Sequence, residues 1–388
     1  MKKNILSILY IAAASCGCVR EAHQGTIPVI SWAGIPAEMS EEVFPVLKES
    51  GIDWHLGLYG DIDKAKTALD AAERNGVGII AGFHELKDDT EASVLALKDH
   101  PALVAWHIKD EPETWDIGWI ADLAGRIAEI DPVHPSYINL YPNWAWGGDR
   151  YAENIELFAS MVDVPFYSFD QYPVTEDDDG QILVRQSWYR NLEEFSAMAK
   201  RHGKPFWAFA LALSHHLGAP SPEAFYPVPT IGHLRLQVFS DLLYGAQAIQ
   251  YFTFGGLYDM EKSVKTEVFD LVRQVNSEIK AYSPVFLGCE VLGVWHTGDV
   301  IPESTSRLTE MPDSRILSLN VSGCGGVVSL ISNGGRRYLA VQNRDCVNES
   351  VLEISFKGSV KKINVCGVSR FKGGELHLSP GNIALFQL

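Results

Sequence analysis

Several things are scarce in this chain, and each scarcity removes a class of function. Basic residues are few: 32 Lys+Arg stand against 49 Asp+Glu in 388 residues, a formal charge of −17, and no Lys/Arg-rich run occurs. Displacing counterions from nucleic-acid phosphates needs clustered positive charge, so DNA and RNA are excluded as partners, and an anionic membrane surface is a poor one for the folded body. Beyond the first 18 residues no apolar run approaches the roughly 18 residues that span a bilayer. No Gly-rich phosphate loop follows the first strand, and neither a P-loop nor a Gly-x-Ser-x-Gly elbow occurs, which argues against nucleotide chemistry and serine hydrolysis. There are only six cysteines; Cys289, Cys324, Cys346 and Cys366 all lie in the last 100 residues at spacings that fit no zinc site. Free thiols and two disulfides are both open for them. The pair His215-His216 lacks a spaced carboxylate, and Glu176–Gly180 lacks the ligand pattern of a calcium loop, so no metal and no cofactor are expected.

What the chain has instead is aromatic and acidic. It carries 17 Phe, 14 Tyr and 10 Trp, flat rings that suit a large core or a sugar-stacking cleft. Residues 1–18 begin with Met1-Lys2-Lys3, continue with the apolar run Ile5–Ala14 and end in Ser15-Cys16-Gly17-Cys18. That layout is an export signal, and small residues before a cysteine resemble a bacterial lipobox. The expectation is an exported protein, in the periplasm or at the outer membrane, touching membrane only through an N-terminal lipid anchor.

From Val29 to Phe254 short β-rich runs alternate with helical periods eight times: Val29–Ile35, Trp54–Tyr59, Val77–Phe83, Leu103–Ile108, Ser136–Leu140, Val164–Phe169, Pro205–Leu213 and Ala248–Phe254. Asp61–Asn75 shows the helical logic, with Asp61 as cap, an apolar face of Ile62, Ala65, Leu69 and Ala72, and Gly76 as stop. Eight βα units predict an α/β fold, a closed (β/α)₈ TIM barrel over residues 19–283. After Pro284 the texture becomes β-branched runs with Gly-Gly turns, which predicts a small C-terminal antiparallel β-sandwich over 284–388. The acidity divides the same way: 40 acidic and 20 basic residues fall between Val19 and Ser283, against 9 and 10 beyond.

Active sites of such barrels lie at the C-terminal ends of the strands. The fourth strand ends in Lys109-Asp110-Glu111-Pro112-Glu113, where crowded carboxylates raise one another's pKa and keep a proton available for a glycosidic oxygen. Asp110 as a cap of the next helix is the plainer reading of the same residues. Asp170 ends the sixth strand, and Glu85 ends the third. Trp32, His107, Asn139, Tyr141, Tyr172, Trp207 and Tyr251, at or near strand ends, are candidate sugar-binding groups.

The run His107–Pro112, the eight units, the segment Gly245–Phe254 and the ending Ser379–Phe386 together resemble clan A glycoside hydrolases, especially β-galactosidase-like barrels of exported bacterial proteins. The resemblance implies an acid/base at Glu111, a carbohydrate substrate and an accessory C-terminal domain. Two departures stand out: Asp110 occupies a place usually held by Asn, and Lys204–His216 offers no Glu where the clan has its nucleophile. Asp170 is then the candidate nucleophile or base. The adjacent Asp110-Glu111 also resembles hexosaminidases, whose substrate acetamido group attacks in place of a protein nucleophile. The missing Glu leaves a non-catalytic sugar-binding barrel as a further alternative, and a metal-dependent lyase or isomerase as another. The acidic mouth favours a neutral or N-acetylated sugar over a polyanion.

Overall fold

The computed structural model describes residues 25–216 and 225–388; residues 1–18, expected to be an export signal, lie outside them. Eight parallel strands close into a barrel in chain order: β1 (Val29–Trp32), β2 (Trp54–Leu58), β3 (Gly78–Gly82), β4 (Leu103–Asp110), β5 (Ser136–Leu140), β6 (Tyr167–Phe169), β7 (Phe206–Leu211) and β8 (Ile249–Phe252), with β8 pairing back onto β1. Each is followed by a helix: α1 (Ser40–Glu49), α2 (Ile62–Asn75), α3 (Thr90–Leu97), α4 (Ile117–Ile130), α5 (Tyr151–Met161), α6 (Ser187–Arg201), α7 (Ile231–Leu243) and α8 (Phe269–Phe286). This is the (β/α)₈ arrangement that the alternation predicts.

Local signals explain the boundaries. The Asp61 carboxylate accepts the Lys64 N–H at 2.8 Å and Gly76 takes φ +65 at the end of α2, as the left-handed cap position requires. Asp110 does not cap α4; a 3₁₀ turn, Thr114–Asp116, leads into that helix and is itself closed by a capping box of Glu113 and Asp116, with Glu113 N–H donating to Asp116 at 3.0 Å. Period-two alternation sorts the strands into two cores. Ile30, Leu56, Ile80, Ala105, Phe209 and Leu211 fill the barrel, while Val29, Ile79, Leu103, Ile138, Ala208 and Ile249 face the helices. Gly78 is required by the fill, since a Cβ there would stand 2.6 Å from the Trp54 ring.

Beyond α8, whose last turn contains Pro284, the chain forms a seven-stranded antiparallel sheet. Its strands are β9 (Glu290–His296), β10 (Ile316–Val321), β11 (Gly326–Asn333), β12 (Arg336–Asn343), β13 (Ser350–Asn364), β14 (Gly367–Leu378) and β15 (Ile383–Gln387). All belong to one hydrogen-bonded sheet: β13 pairs β10 through its first half and β15 through its second, and its pairing with β14 shifts register between Ser355 and Val360. Gly334-Gly335, both at positive φ, make the two-residue turn between β11 and β12. Leu339, Val341, Ala384 and Phe386 point into the sheet's own core, and Tyr338, Ala340, Ile383 and Leu385 point into the barrel's outer core. All four C-terminal cysteines carry free thiols.

Helix α7 is the keel of this junction. Gln342 on β12 donates to the carbonyls of Arg235 and Leu236 and accepts from Ser240 Oγ at 2.7 Å. On the same helix Arg235 forks onto Glu278 of α8, Nε at 3.0 Å and Nη2 at 2.5 Å, with both residues buried. Removing one partner leaves a buried charge unpaired. Arg235→Leu is therefore expected to cost about 3–5 kcal/mol in chemical denaturation, and Arg235→Leu with Glu278→Leu to recover most of it.

Candidate active site

The C-terminal end of β4 departs from regular strand geometry twice, and both departures serve the same end. His107 lies inside the barrel, edge-on to Trp32 at 5.8 Å and 5.9 Å from the Tyr137 ring. Strict alternation would then turn Lys109 inward and Asp110 toward the helices. A register shift against β5 between His107 and Lys109 inserts one residue, and Asp110 comes opposite Asn139. Such a bulge re-aims a side chain. Glu111 follows at φ +48, a left-handed conformation rare for a non-glycine residue, with its N–H donating to Asn139 O at 2.8 Å. Bulge and turn together bring the adjacent Asp110 and Glu111 to one cleft.

Asp170, one residue past β6, completes the group. The Asn139 amide Nδ2 donates to Asp110 at 3.2 Å and to Asp170 at 2.9 Å, and the Tyr172 hydroxyl bonds Asp170 as well. All three residues are half-buried at the mouth. Burial pushes Glu111 up to about 8, with the Asp170 and Asp110 charges adding to the effect and Lys109 opposing it. Burial and then Asp110 lift Asp170 to about 7, against the bonds from Asn139 and Tyr172. Asp110 is raised too, by burial. The mouth of the barrel thus holds carboxylic acids that keep a proton near neutrality.

Around them the predicted binding residues separate by depth. Trp32 ends β1 inside the barrel, and Tyr172 lies beside Phe252 at 5.6 Å. Tyr141 packs on Trp146 at 6.4 Å while its hydroxyl feels the charges of Glu111 and Glu113. Burial drives His107 down to about 4, so its ring is neutral. Two residues lie elsewhere. Trp207, second in β7, stacks on Phe166 at 3.7 Å and 7° near the N-terminal ends of the strands, with its ring 5.9 Å from that of Tyr137. Tyr251 faces outward into the helix layer, because Gln250 takes the inward position and bonds Tyr137 at 2.7 Å. Glu85 opens a helical turn after β3. His215 stacks on Tyr226 at 4.8 Å, and Glu176–Gly180 becomes a hairpin turn ordered by Asp177. Among the described residues no group of three His, Cys, Asp or Glu is placed to hold a metal ion.

Some of the site escapes a reading of the sequence. Ser168, Gln250 and Tyr137 form a buried polar layer beneath the carboxylates. Trp144 and Trp115, on the loops after β5 and β4, are 45% and 76% exposed at the same end of the barrel. A Trp in a loop following a strand-end carboxylate was the available signal for the latter.

The sequence matches no protein-family model and no curated protein. Solved structures with a similar chain path include the α-L-arabinofuranosidase from Thermotoga maritima, at 9% identity and a TM-score of 0.49, covering 90% of this chain and 89% of that one. The catalytic domain of the chitinase from Pyrococcus furiosus has a TM-score of 0.45 at 12% identity, covering 67% and 99%. The arabinofuranosidase from Xanthomonas axonopodis pv. citri has a TM-score of 0.44 at 12% identity, covering 89% of each chain.

Proposed function

We propose that this chain is an exported glycoside hydrolase acting on a neutral or N-acetylated oligosaccharide, with Glu111 as the general acid. One observation carries the reading: a carboxyl at the C-terminal end of β4, held in a left-handed turn, keeps its proton to about pH 8 beside two further carboxylates. In the proposed reaction Glu111 gives its proton to the glycosidic oxygen as the bond to the anomeric carbon breaks. Asp170 supplies the second function, attacking that carbon or taking a proton from the attacking water. A protonated acid and an ionised partner are needed together, so the rate should fall above about pH 8 and below about pH 7. Export and lipid anchoring through residues 1–18 belong to the same proposal.

The inward turn of Asp110 supports a second reading. An Asp beside the acid could orient a substrate acetamido group for internal attack, confining the substrate to N-acetylated sugars. The test is hydrolysis of a panel of neutral and N-acetylated oligosaccharides and aryl glycosides, with the first product's anomer read by NMR. Inversion would remove the acetamido reading, and cleavage only of N-acetylated members with retention would favour it. Binding without cleavage of any member would overturn both in favour of a sugar-binding barrel.

Trp144, with the Arg185 guanidinium 5.7 Å from its ring centre, offers a stacking face beyond the carboxylates. Trp144→Ala is expected to raise KM about threefold to tenfold for long oligosaccharides, the worth of one lost ring contact, and to leave small aryl glycosides unaffected.

A further inference from the structure

Asn139 has the chemistry of a sugar-hydroxyl ligand, yet both of its N–H donors and one lone pair of its oxygen are already taken up. Its Nδ2 donates to Asp110 and to Asp170. Its Oδ1 accepts from Ser168 Oγ at 2.9 Å. Ser168 Oγ in turn accepts from Gln250 Nε2 at 2.8 Å, and Gln250 Oε1 accepts from the Tyr137 hydroxyl at 2.7 Å. The Tyr137 hydroxyl also lies 3.1 Å from Ser168 Oγ, a longer contact than either hydroxyl's bond to an amide oxygen, and ionised carboxylates can only accept, so the Asn139 NH₂ must face them. The polarity therefore runs from Tyr137 through Gln250 and Ser168 to Asn139, and it fixes the Asn139 NH₂ toward the carboxylates. The residues come from β5, β6 and β8, and Ser168, Gln250, Tyr137 and Asn139 are all buried.

We propose that Asn139 is a positioning residue, not a substrate ligand: oriented from below by Ser168, Gln250 and Tyr137, its amide clamps Asp110 and Asp170 into one acidic pair. This rests on the glycosidase reading for its role in turnover, though the clamp itself does not. Two carboxylates at one donor repel each other, and a shared N–H pair is what makes their joint ionisation tolerable. The other groups that bear on the pair are Lys109 beside Asp110, Glu111 after it, and the hydroxyls of Tyr172 and Tyr137; Tyr226 and Tyr151 also sense the charge of Asp170.

The sign follows from the donor. Asn139 stabilises the ionised carboxylates, so its loss raises the pH at which they ionise. Asn139→Leu should move the acidic limb of the kcat/KM profile upward by about one pH unit, about tenfold in proton affinity, with KM held within about twofold. Ser168→Ala keeps Asn139 but frees its oxygen, and should move the limb the same way by less. A raised KM with an unmoved limb would make Asn139 a substrate ligand and overturn the proposal. A shift in Asn139→Leu but none in Ser168→Ala would overturn the orienting role of the buried layer. The same two variants can be titrated without substrate by the carboxyl infrared bands of the free protein. There the ionisation of the pair should move upward, and an unmoved titration ends the proposal whatever the activity. If the wild type cleaves nothing while the titration shifts, the functional reading fails and the clamp stands. Should Asn139→Leu not fold, Ser168→Ala carries both measurements.

Discussion

Replacing Glu111 by Gln is expected to lower turnover about 10²- to 10⁴-fold on substrates with poor leaving groups. Gln keeps the size and the hydrogen-bonding shape of the side chain but cannot surrender a proton. The defect should shrink toward nothing on aryl glycosides whose leaving group departs unprotonated, such as a dinitrophenolate. It should also remove the basic limb of the pH profile, since that limb is the loss of the Glu111 proton near pH 8. An unchanged rate on unactivated substrates would remove Glu111 from the reaction. The same variant has a second readout of opposite direction. In the unfolded chain this carboxyl ionises near 4.5, whereas in the fold it stays neutral to about 8. The folded state thus holds a proton that the unfolded state has lost, and wild-type stability falls as pH rises through that interval. Gln carries no such penalty. Glu111→Gln should match the wild type in thermal stability near pH 4, exceed it increasingly up to pH 8, and hold that margin above. An inactive variant that is more stable is the signature of a site whose charges are placed for chemistry.

How much of this could be read beforehand differs between the scaffold and the site. The eight strands sit where alternating β-rich and helical segments place them, and α2 begins and ends at Asp61 and Gly76 because capping chemistry is local. The carboxylates at the ends of β4 and β6 are legible for the same reason: position along a strand is a local property. Which way a side chain points is not. The strands of a parallel barrel are apolar on both faces, so Trp207 and Tyr251 look alike in sequence to Trp32 and Tyr172, although one lies near the N-terminal ends of the strands and the other packs under α7 and α8. The bulge at β4 leaves no mark in His107–Asp110, yet it decides that Asp110 faces the cleft. The partners of Asn139 are more remote still. Ser168 and Gln250 stand 29 and 111 positions away, and only closure of the barrel brings β8 across to β5 and β6. The C-terminal sheet shows the same division. Its strands and Gly-Gly turn are visible in the residues, whereas its continuity through β13 depends on the two halves of one long strand taking different partners, β10 and β15.

Asp170→Asn is the other substitution with a large expected effect, and its value lies in comparison with Asp110→Asn. Both side chains hang on the Asn139 amide, but they differ in surroundings. Asp170 also takes the Tyr172 hydroxyl, and its charge is the first among those that raise Glu111. Of the charges acting on the acid, that of Asp170 is felt most strongly, which makes Asp170 the candidate for the group that acts on the anomeric carbon. Asp170→Asn is expected to cost about 10²- to 10⁴-fold in kcat on every substrate cleaved, because no side chain of β7 can replace it. Asp110→Asn should cost less on sugars without an acetamido group, since there Asp110 serves only to share the clamp. Asp170→Asn also removes the negative charge that lifts Glu111, so the basic limb of any residual activity should move to lower pH, toward the ordinary carboxylate range. If the order is reversed, with Asp110→Asn abolishing turnover on N-acetylated sugars and Asp170→Asn tolerated, the substrate acetamido group is the nucleophile and Asp110 its orienting partner. Two single substitutions that alter neither side chain's volume thus separate the two chemistries that the same cleft permits.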